Sequence, residues 1–355
     1  MISTKTLDID WINKVSAENR KADKILVEKV IHALFLLEGL VKNKIEFVFK
    51  GGTSLMLLLN SSKRLSIDID IILPKEYENL EEIFGNIVKE QGFTKFELQE
   101  RSVNSQIKKA HYKFFYEPLH KTYSKEEYIL LDILFEKVKY KKLIELPINH
   151  PFLITEAEHT MVSVPSHEDI LGDKLTAFAP TTTGIPYKKG KKSMSMEIIK
   201  QLYDIGNLFD TANNIITVKE TFSSFAKTEL EYGGKPELKE SDVLEDSFQA
   251  SLTIASRGKA GTGNFNELQT GIQRLVRFIF SEPFHLDKAI TFASKAAYIT
   301  KIIKHDAKVI EKFNDPNQLK DWSISEPLWK GANKLKKSNP EAFFYWYKVH
   351  ELISY

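Results

Sequence analysis

The chain contains no cysteine. That absence excludes disulfide staples, zinc–thiolate sites and thiol nucleophiles together. Long apolar runs are missing as well: no stretch of about 18 apolar residues is available to span a bilayer, and the opening MISTKTLDIDWINK holds no apolar signal core. A cytoplasmic protein without membrane contact is the expectation. Neither sign of charge dominates. With 50 basic residues against 48 acidic ones and a net charge of +2, the overall balance neither demands nor excludes a nucleic-acid partner, and local distribution has to decide. The nine histidines fall in no HExxH or other metal spacing, and there is no GxSxG elbow, which leaves hydrolase chemistry with little support. Internal repeats and long low-complexity segments are also lacking.

What is present is an ordinary globular composition, 42% hydrophobic over 355 residues, enough for a sizeable core and for two domains. Apolar residues at Ile25, Leu26, Val30, Ala33, Leu34 and Leu37 keep helical spacing, predicting a long packed helix over 22–41. The short aromatic run EFVFK stops at Gly51-Gly52, which reads as strand, tight turn and helix. That helix, TSLMLLLNSS, is too continuously apolar for a surface element and should be buried against a sheet. LSIDIDIIL follows as a second strand, ended by Pro74, and EYENLEEIFGNIVKEQG resumes helical periodicity to a stop at Gly92. AHYKFFY and EYILLDILFE are further strands, the second apolar on both faces and so central. Past about Met161 the pattern becomes mainly helical, beginning with SHEDILGDKLTAF, where Ser166 and Asp169 have capping-box spacing. TTTGIPYKKGKKSMS and EYGGKPELKESD read as loops. The fold class is therefore α+β, a mixed sheet with helices over 1–160 followed by a mainly helical domain over 161–355.

The acidic pair in this frame calls for an explanation. On a strand, residues i and i+2 share a face about 6.6 Å apart, so Asp68 and Asp70 would project together while Ile67, Ile69 and Ile71 pack behind. Two carboxylates so held repel, and become favourable when a divalent cation binds between them. Mg²⁺ commonly takes one or two carboxylates plus substrate phosphates and water, and two-metal phosphoryl transfer adds a further acid from a neighbouring strand. Asp132, isolated inside YILLDILFE, is the candidate. Alone, a DxD is more often a solvated strand edge. Here Gly51-Gly52 allows close backbone approach upstream, and Thr53 and Ser54 place hydroxyls beside helix-start N–H groups that favour phosphate.

GGTSL, an apolar helix, RLSIDID, GDKLTAF and LYDIGNLFD, in that order between Phe49 and Asp210, together resemble the AbiEii-type nucleotidyltransferase toxins of type IV toxin–antitoxin and phage-abortive systems. The resemblance implies a DNA polymerase β-like nucleotidyltransferase fold in the first domain. It also implies a site in which Gly52 and Ser54 belong to the nucleotide-phosphate loop, Asp68 and Asp70 to the metal pair, Lys174 to the third motif and Asp204 to the fourth. Arg64 occupies the family's arginine before the acidic strand, where ion pairing and substrate contact are equally open. Asp132 fits by strand logic more than by motif. The helical domain would thus contribute Lys174 and Asp204. Mg²⁺ or Mn²⁺ and an NTP are implied, with a cognate antitoxin as partner.

Lysine on a helix can neutralise triphosphate charge as it builds in the transition state, although spacing alone would favour a surface Lys174 paired with Asp173 or Glu168. Asp204 could orient Lys174 or a hydroxyl, or be an exposed acid. Lys188, Lys189, Lys191 and Lys192 surround a glycine at a charge density suited to a phosphate backbone, although most charge runs are simply solvated. The resemblance favours tRNA as acceptor. A protein or small-molecule hydroxyl, or a nucleotide-binding module without turnover, remains open. FFYWY at 343–347 cannot turn five aromatics into one groove from a helix, so core packing is expected there rather than base stacking.

Overall fold

Two aspartates start the first two helices. In the computed structural model, which describes residues 1–59, 63–99, 108–120, 124–156 and 158–354, the Asp8 and Asp23 side chains accept from the backbone N–H groups of Asp10 and Ile25. They cap α1 (Ile9–Glu18) and α2 (Lys24–Lys42). The chain divides into two compact units, Met1–Ser166 with Phe278–Glu282, and His167–Arg277 with Pro283–Tyr355.

In the first unit, α2 is the expected long packed helix, buried along almost its whole length. Strand β1 (Val48–Lys50) leads directly into α3 (Gly51–Leu58), then come β2 (Ile69–Leu73), α4 (Leu80–Glu90), β3 (Lys95–Leu98), β4 (Lys109–Tyr116) and β5 (Glu127–Phe135). The five strands form one mixed sheet in the order β1-β2-β5-β4-β3, with β5 flanked by β2 and β4 as its apolar character predicts. Only β2 and β5 run parallel. Tyr112, Phe114 and Tyr116 fill the covered face of β4, and Phe84 of α4 meets Tyr112 and Phe114 edge-on. Gly92 ends the α4 segment in the left-handed region, φ +75°. A hairpin of β6 (Leu143–Pro147) and β7 (Met161–Pro165) follows. Phe278–Glu282 returns to this unit: Leu65 N–H donates to the Phe278 carbonyl at 2.8 Å, and the Ser281 hydroxyl donates to that of Lys63 at 2.7 Å.

Two expectations shift here. The second strand begins at Ile69, not Leu65, so Asp68 is exposed one residue before the strand instead of inside it. On one side β1 pairs with β2 only as far as Lys50↔Asp70, because at Gly51 the chain leaves the sheet as α3, and on the other the ladder to β5 begins at Ile69↔Leu131. The apolar helix starts at the two glycines themselves and ends at Leu58, while 60–62 lie outside the described residues.

The second unit contains α5 (His167–Ala177), a hairpin of β8 (Lys188–Lys189) and β9 (Lys192–Ser193), α6 (Ser195–Thr211), α7 (Ile215–Tyr232), α8 (Glu240–Ala255), α9 (Phe265–Leu275), α10 (Leu286–Lys304), α11 (Leu335–Ser338) and α12 (Pro340–Ile353). Helix α10 is the hub, packed on α6, α8 and α12. Gly206 makes one of these contacts possible, because a Cβ there would fall 2.2 Å from the Phe292 ring. The expected loop over 181–195 is in part the β8–β9 hairpin, turned at Gly190 with φ +60°. Phe343, Phe344, Tyr345 and Trp346 are buried on α12 and Tyr347 stacks on Trp322, so the aromatic run is core. Among the described residues no helix is long and apolar enough to cross a membrane.

Candidate active site

The sheet register brings two of the three proposed metal carboxylates together. Asp70 pairs directly with Asp132 across the parallel β2–β5 ladder. Side chains of directly paired residues leave the sheet on the same face, with neighbouring strands about 4.8 Å apart. On the far side of Asp132 stands His111, its antiparallel partner on β4, with Nδ1 2.5 Å from Asp132 Oδ1. Sequence reasoning missed His111. Only the alternation in AHYKFFY hints at it, by placing His111, Lys113 and Phe115 opposite the buried aromatics, and the strand partner that gives it meaning is set by register.

Gly51 explains the diglycine. Its φ of +83° is strained for any other L-residue, and a Cβ would lie 2.1 Å from Asp70 Oδ2, so the carboxylate rests against bare backbone. A Cβ on Gly52 would lie 2.5 Å from Arg64 Nη2 and 2.7 Å from the Ser66 hydroxyl. Arg64 is buried there and donates from Nη1 to the Leu65 carbonyl at 3.3 Å. The Thr53 hydroxyl donates to the Asp68 carbonyl at 2.6 Å, tying the start of α3 to the segment entering β2, and the Ser54 hydroxyl donates to the Gly51 carbonyl at 2.9 Å. Both residues are fully buried, so in this arrangement their hydroxyls brace the turn.

These donors are carboxylate oxygens, the chemistry of hard divalent cations. Among the described residues no group of three or more His, Cys, Asp or Glu side chains forms a closed metal site. Asp70 and Asp132, paired in register, present two carboxylates side by side, a number that suits Mg²⁺ or Mn²⁺ when phosphates and water complete the shell, while Asp68 lies one residue outside the ladder.

In the second unit Lys174 on α5 lies 3.0 Å from Asp204 on α6 and donates to Gln201 Oε1 at 2.8 Å. Both Lys174 and Asp204 are buried, neither a surface lysine nor an exposed acid. Burial pulls the Glu168 carboxyl upward, but the backbone N–H groups of Asn213 and Asn214, at 3.0 and 3.4 Å, help hold it below its ordinary range. Three further features of the same helices are structural. Asp169 accepts from the Thr221 hydroxyl at 2.6 Å, Asp210 accepts from buried Lys295 at 2.7 Å, and Tyr203 packs edge-on against Phe284 and Phe292. Lys188, Lys189, Lys191 and Lys192 are exposed on the β8–β9 hairpin, with Lys188 3.7 Å from Glu267.

A family model described as nucleotidyl transferase AbiEii toxin, type IV TA system, matches residues 35–284. Among solved structures, JHP933 from Helicobacter pylori is similar at 15% identity and a TM-score of 0.42, over 79% of this chain and 93% of that one. A second H. pylori chain, provisionally assigned as a nucleotidyltransferase, is 15% identical with a TM-score of 0.43, over 80% of this chain and 96% of that one. No curated protein matches.

Proposed function

Because the chain belongs to the AbiEii nucleotidyltransferase toxin family of type IV toxin–antitoxin systems, we propose that it transfers a nucleoside monophosphate from an NTP to an acceptor hydroxyl in a metal-dependent reaction. The acceptor is the 3′ end of tRNA, and a cognate antitoxin restrains the activity. The observation that carries this reading is the Gly51 corner, where bare backbone meets the Asp70 carboxylate in register with Asp132.

In the reaction the acceptor oxygen bonds to the α-phosphorus as the bridging bond to pyrophosphate breaks. Little covalent chemistry falls to the protein, which positions and neutralises. The start of α3, whose backbone N–H groups favour anions, lies at Gly51 and Gly52, beside Asp70 and Arg64. Asp68, Asp70 and Asp132 would hold Mg²⁺ or Mn²⁺, which supplies neutralisation of the triphosphate when bound. By its match to the third motif Lys174 would counter triphosphate charge, and within its own unit it is held by Asp204 and Gln201. The hairpin lysines supply an electrostatic grip for an RNA backbone.

Incubating the protein with α-labelled NTPs, Mg²⁺ and total tRNA or total protein tests the reading directly. Label on tRNA is the expected result. Label on protein alone would move the acceptor, and no label from any NTP with either acceptor would overturn the proposal.

A further inference from the structure

Four side chains stand in one row across the sheet: Lys50, Asp70, Asp132 and His111, from β1, β2, β5 and β4. Its two central members are like-charged neighbours, and such a pair relieves its repulsion by rotating apart. Asp132 is not at liberty to do so, because one of its oxygens is engaged by His111 Nδ1 at 2.5 Å. Strand packing gives no reason for an imidazole at this position. Its side chain is on the face of β4 opposite Tyr112, Phe114 and Tyr116, is 14% exposed, and meets a carboxylate that is 29% exposed.

We propose that His111 is a positioning residue for the nucleotidyltransferase site. It fixes Asp132 by one carboxylate oxygen and leaves the other to share a divalent cation with Asp70. The inference rests on the metal-dependent reading above and adds the group that pre-orients its third carboxylate. A carboxylate already held in one rotamer loses less freedom when it binds, and removing such an outer partner typically weakens metal binding or activity by about 10–100-fold.

Calorimetric titration of the full chain with Mn²⁺, in the presence of an equimolar mixture of non-hydrolysable NTP analogues, reads this without knowledge of the acceptor. His111→Leu should weaken Mn²⁺ binding by about 10–100-fold. His111→Asn should recover most of that loss, because its amide nitrogen stands where Nδ1 stood. Melting without metal should be the same for wild type and the Asn variant, which keeps the test valid if the Leu variant folds poorly. Wild-type Mn²⁺ affinity in His111→Leu overturns the inference, as does an Asn variant no better than a folded Leu variant. An Asp70→Asn control separates the two levels. If wild type binds Mn²⁺ and Asp70→Asn does not, the metal reading stands whatever His111 does. If wild type binds none, the metal reading itself falls and takes the inference with it.

Discussion

Lys174 Nζ lies 3.0 Å from the Asp204 carboxylate, with the two side chains only 10% and 3% exposed. Removing one partner of so buried a pair strands the other charge, which typically costs about 3–5 kcal/mol. Lys174→Ala should therefore lower the unfolding free energy by about 3 kcal/mol in urea denaturation, and Lys174→Met combined with Asp204→Leu should regain most of it. Transfer has to be measured per folded molecule. On that basis Lys174→Ala should raise the NTP requirement and slow transfer, with Lys174→Arg a partial rescue because guanidinium geometry differs. Wild-type turnover by folded Lys174→Ala would reduce the pair to a structural element.

Asp70 and Asp68 should separate chemistry from folding in the opposite way. Asp70 neighbours Asp132 in the ladder and Asp68 is exposed, so Asn at either position, which keeps the side chain's shape and removes its charge, should abolish transfer while the fold is retained. Mg²⁺ should raise the melting temperature of wild type and not of the double variant. Gly51→Ala should behave differently, losing at least about 1–3 kcal/mol, because backbone strain at φ +83° is joined by a Cβ that would fall 2.1 Å from Asp70 Oδ2. Thermal melts of these four variants, Asp68→Asn, Asp70→Asn, the two combined and Gly51→Ala, with and without Mg²⁺ check all of this. An Asp70→Asn protein that unfolds would assign the carboxylate to the fold.

The parts of this arrangement legible in the sequence are those set by local pattern. Alternation predicts β4, a run apolar on both faces predicts β5, apolar spacing predicts α2, and the family motifs single out Asp68, Asp70, Lys174 and Asp204. The rest depends on register and on return segments. That Asp70 meets Asp132, and Asp132 meets His111, follows from which strands pair and in what phase, and no single-sequence periodicity encodes that. Asp68 lies outside the strand, where β1 has left the sheet as α3 at Gly51 and the β5 ladder begins only at Ile69↔Leu131. Phe278–Glu282 joins the first unit through long-range contacts, among them hydrogen bonds to 63–65 and Phe280 against Phe152, which local pattern does not encode. The hairpin at Lys188–Ser193 lies in a segment that reads as a loop, since lysine runs carry no alternation.

Acid should destabilise the first unit. Burial pushes the His32 imidazole down to about 3, where it stacks on Tyr116 with ring centroids 3.7 Å apart, and pushes His150 down to about 4. Both folded values lie below the unfolded value near 6.5, so on acidification the unfolded chain takes up protons that the folded one refuses. Stability is flat in these groups above pH 6.5. Below it stability falls by about 1.4 kcal/mol per pH unit for each histidine, until His150 protonates in the folded state near pH 4. His32→Phe, which keeps the stacking and removes a buried Nδ1 with no hydrogen-bond partner, should reduce that slope by one histidine's worth and stabilise slightly at neutral pH. Urea unfolding between pH 4.5 and 7.5 reads the slope, and an unchanged slope in His32→Phe would contradict the account.

The acceptor is tested on the β8–β9 hairpin. Lys189, Lys191 and Lys192 are exposed around Gly190, whereas Lys188 is shared with Glu267 at 3.7 Å. Each phosphate contact contributes about 0.7 to the log–log salt slope of binding for single-stranded nucleic acid and about 0.9 for duplex. If the hairpin grips tRNA, replacing the three free-standing lysines by Ser should flatten the slope by about 2 to 3 units, and adding Lys188→Ser should change it least, because Glu267 already offsets that charge. NTP affinity should hardly move, since none of the four belongs to the Gly51 turn or to β2. Binding of total tRNA across a salt series measures the slope directly. A triple variant with the wild-type slope that still labels tRNA would make the hairpin a solvated turn, and the backbone contacts would have to be sought among other basic residues.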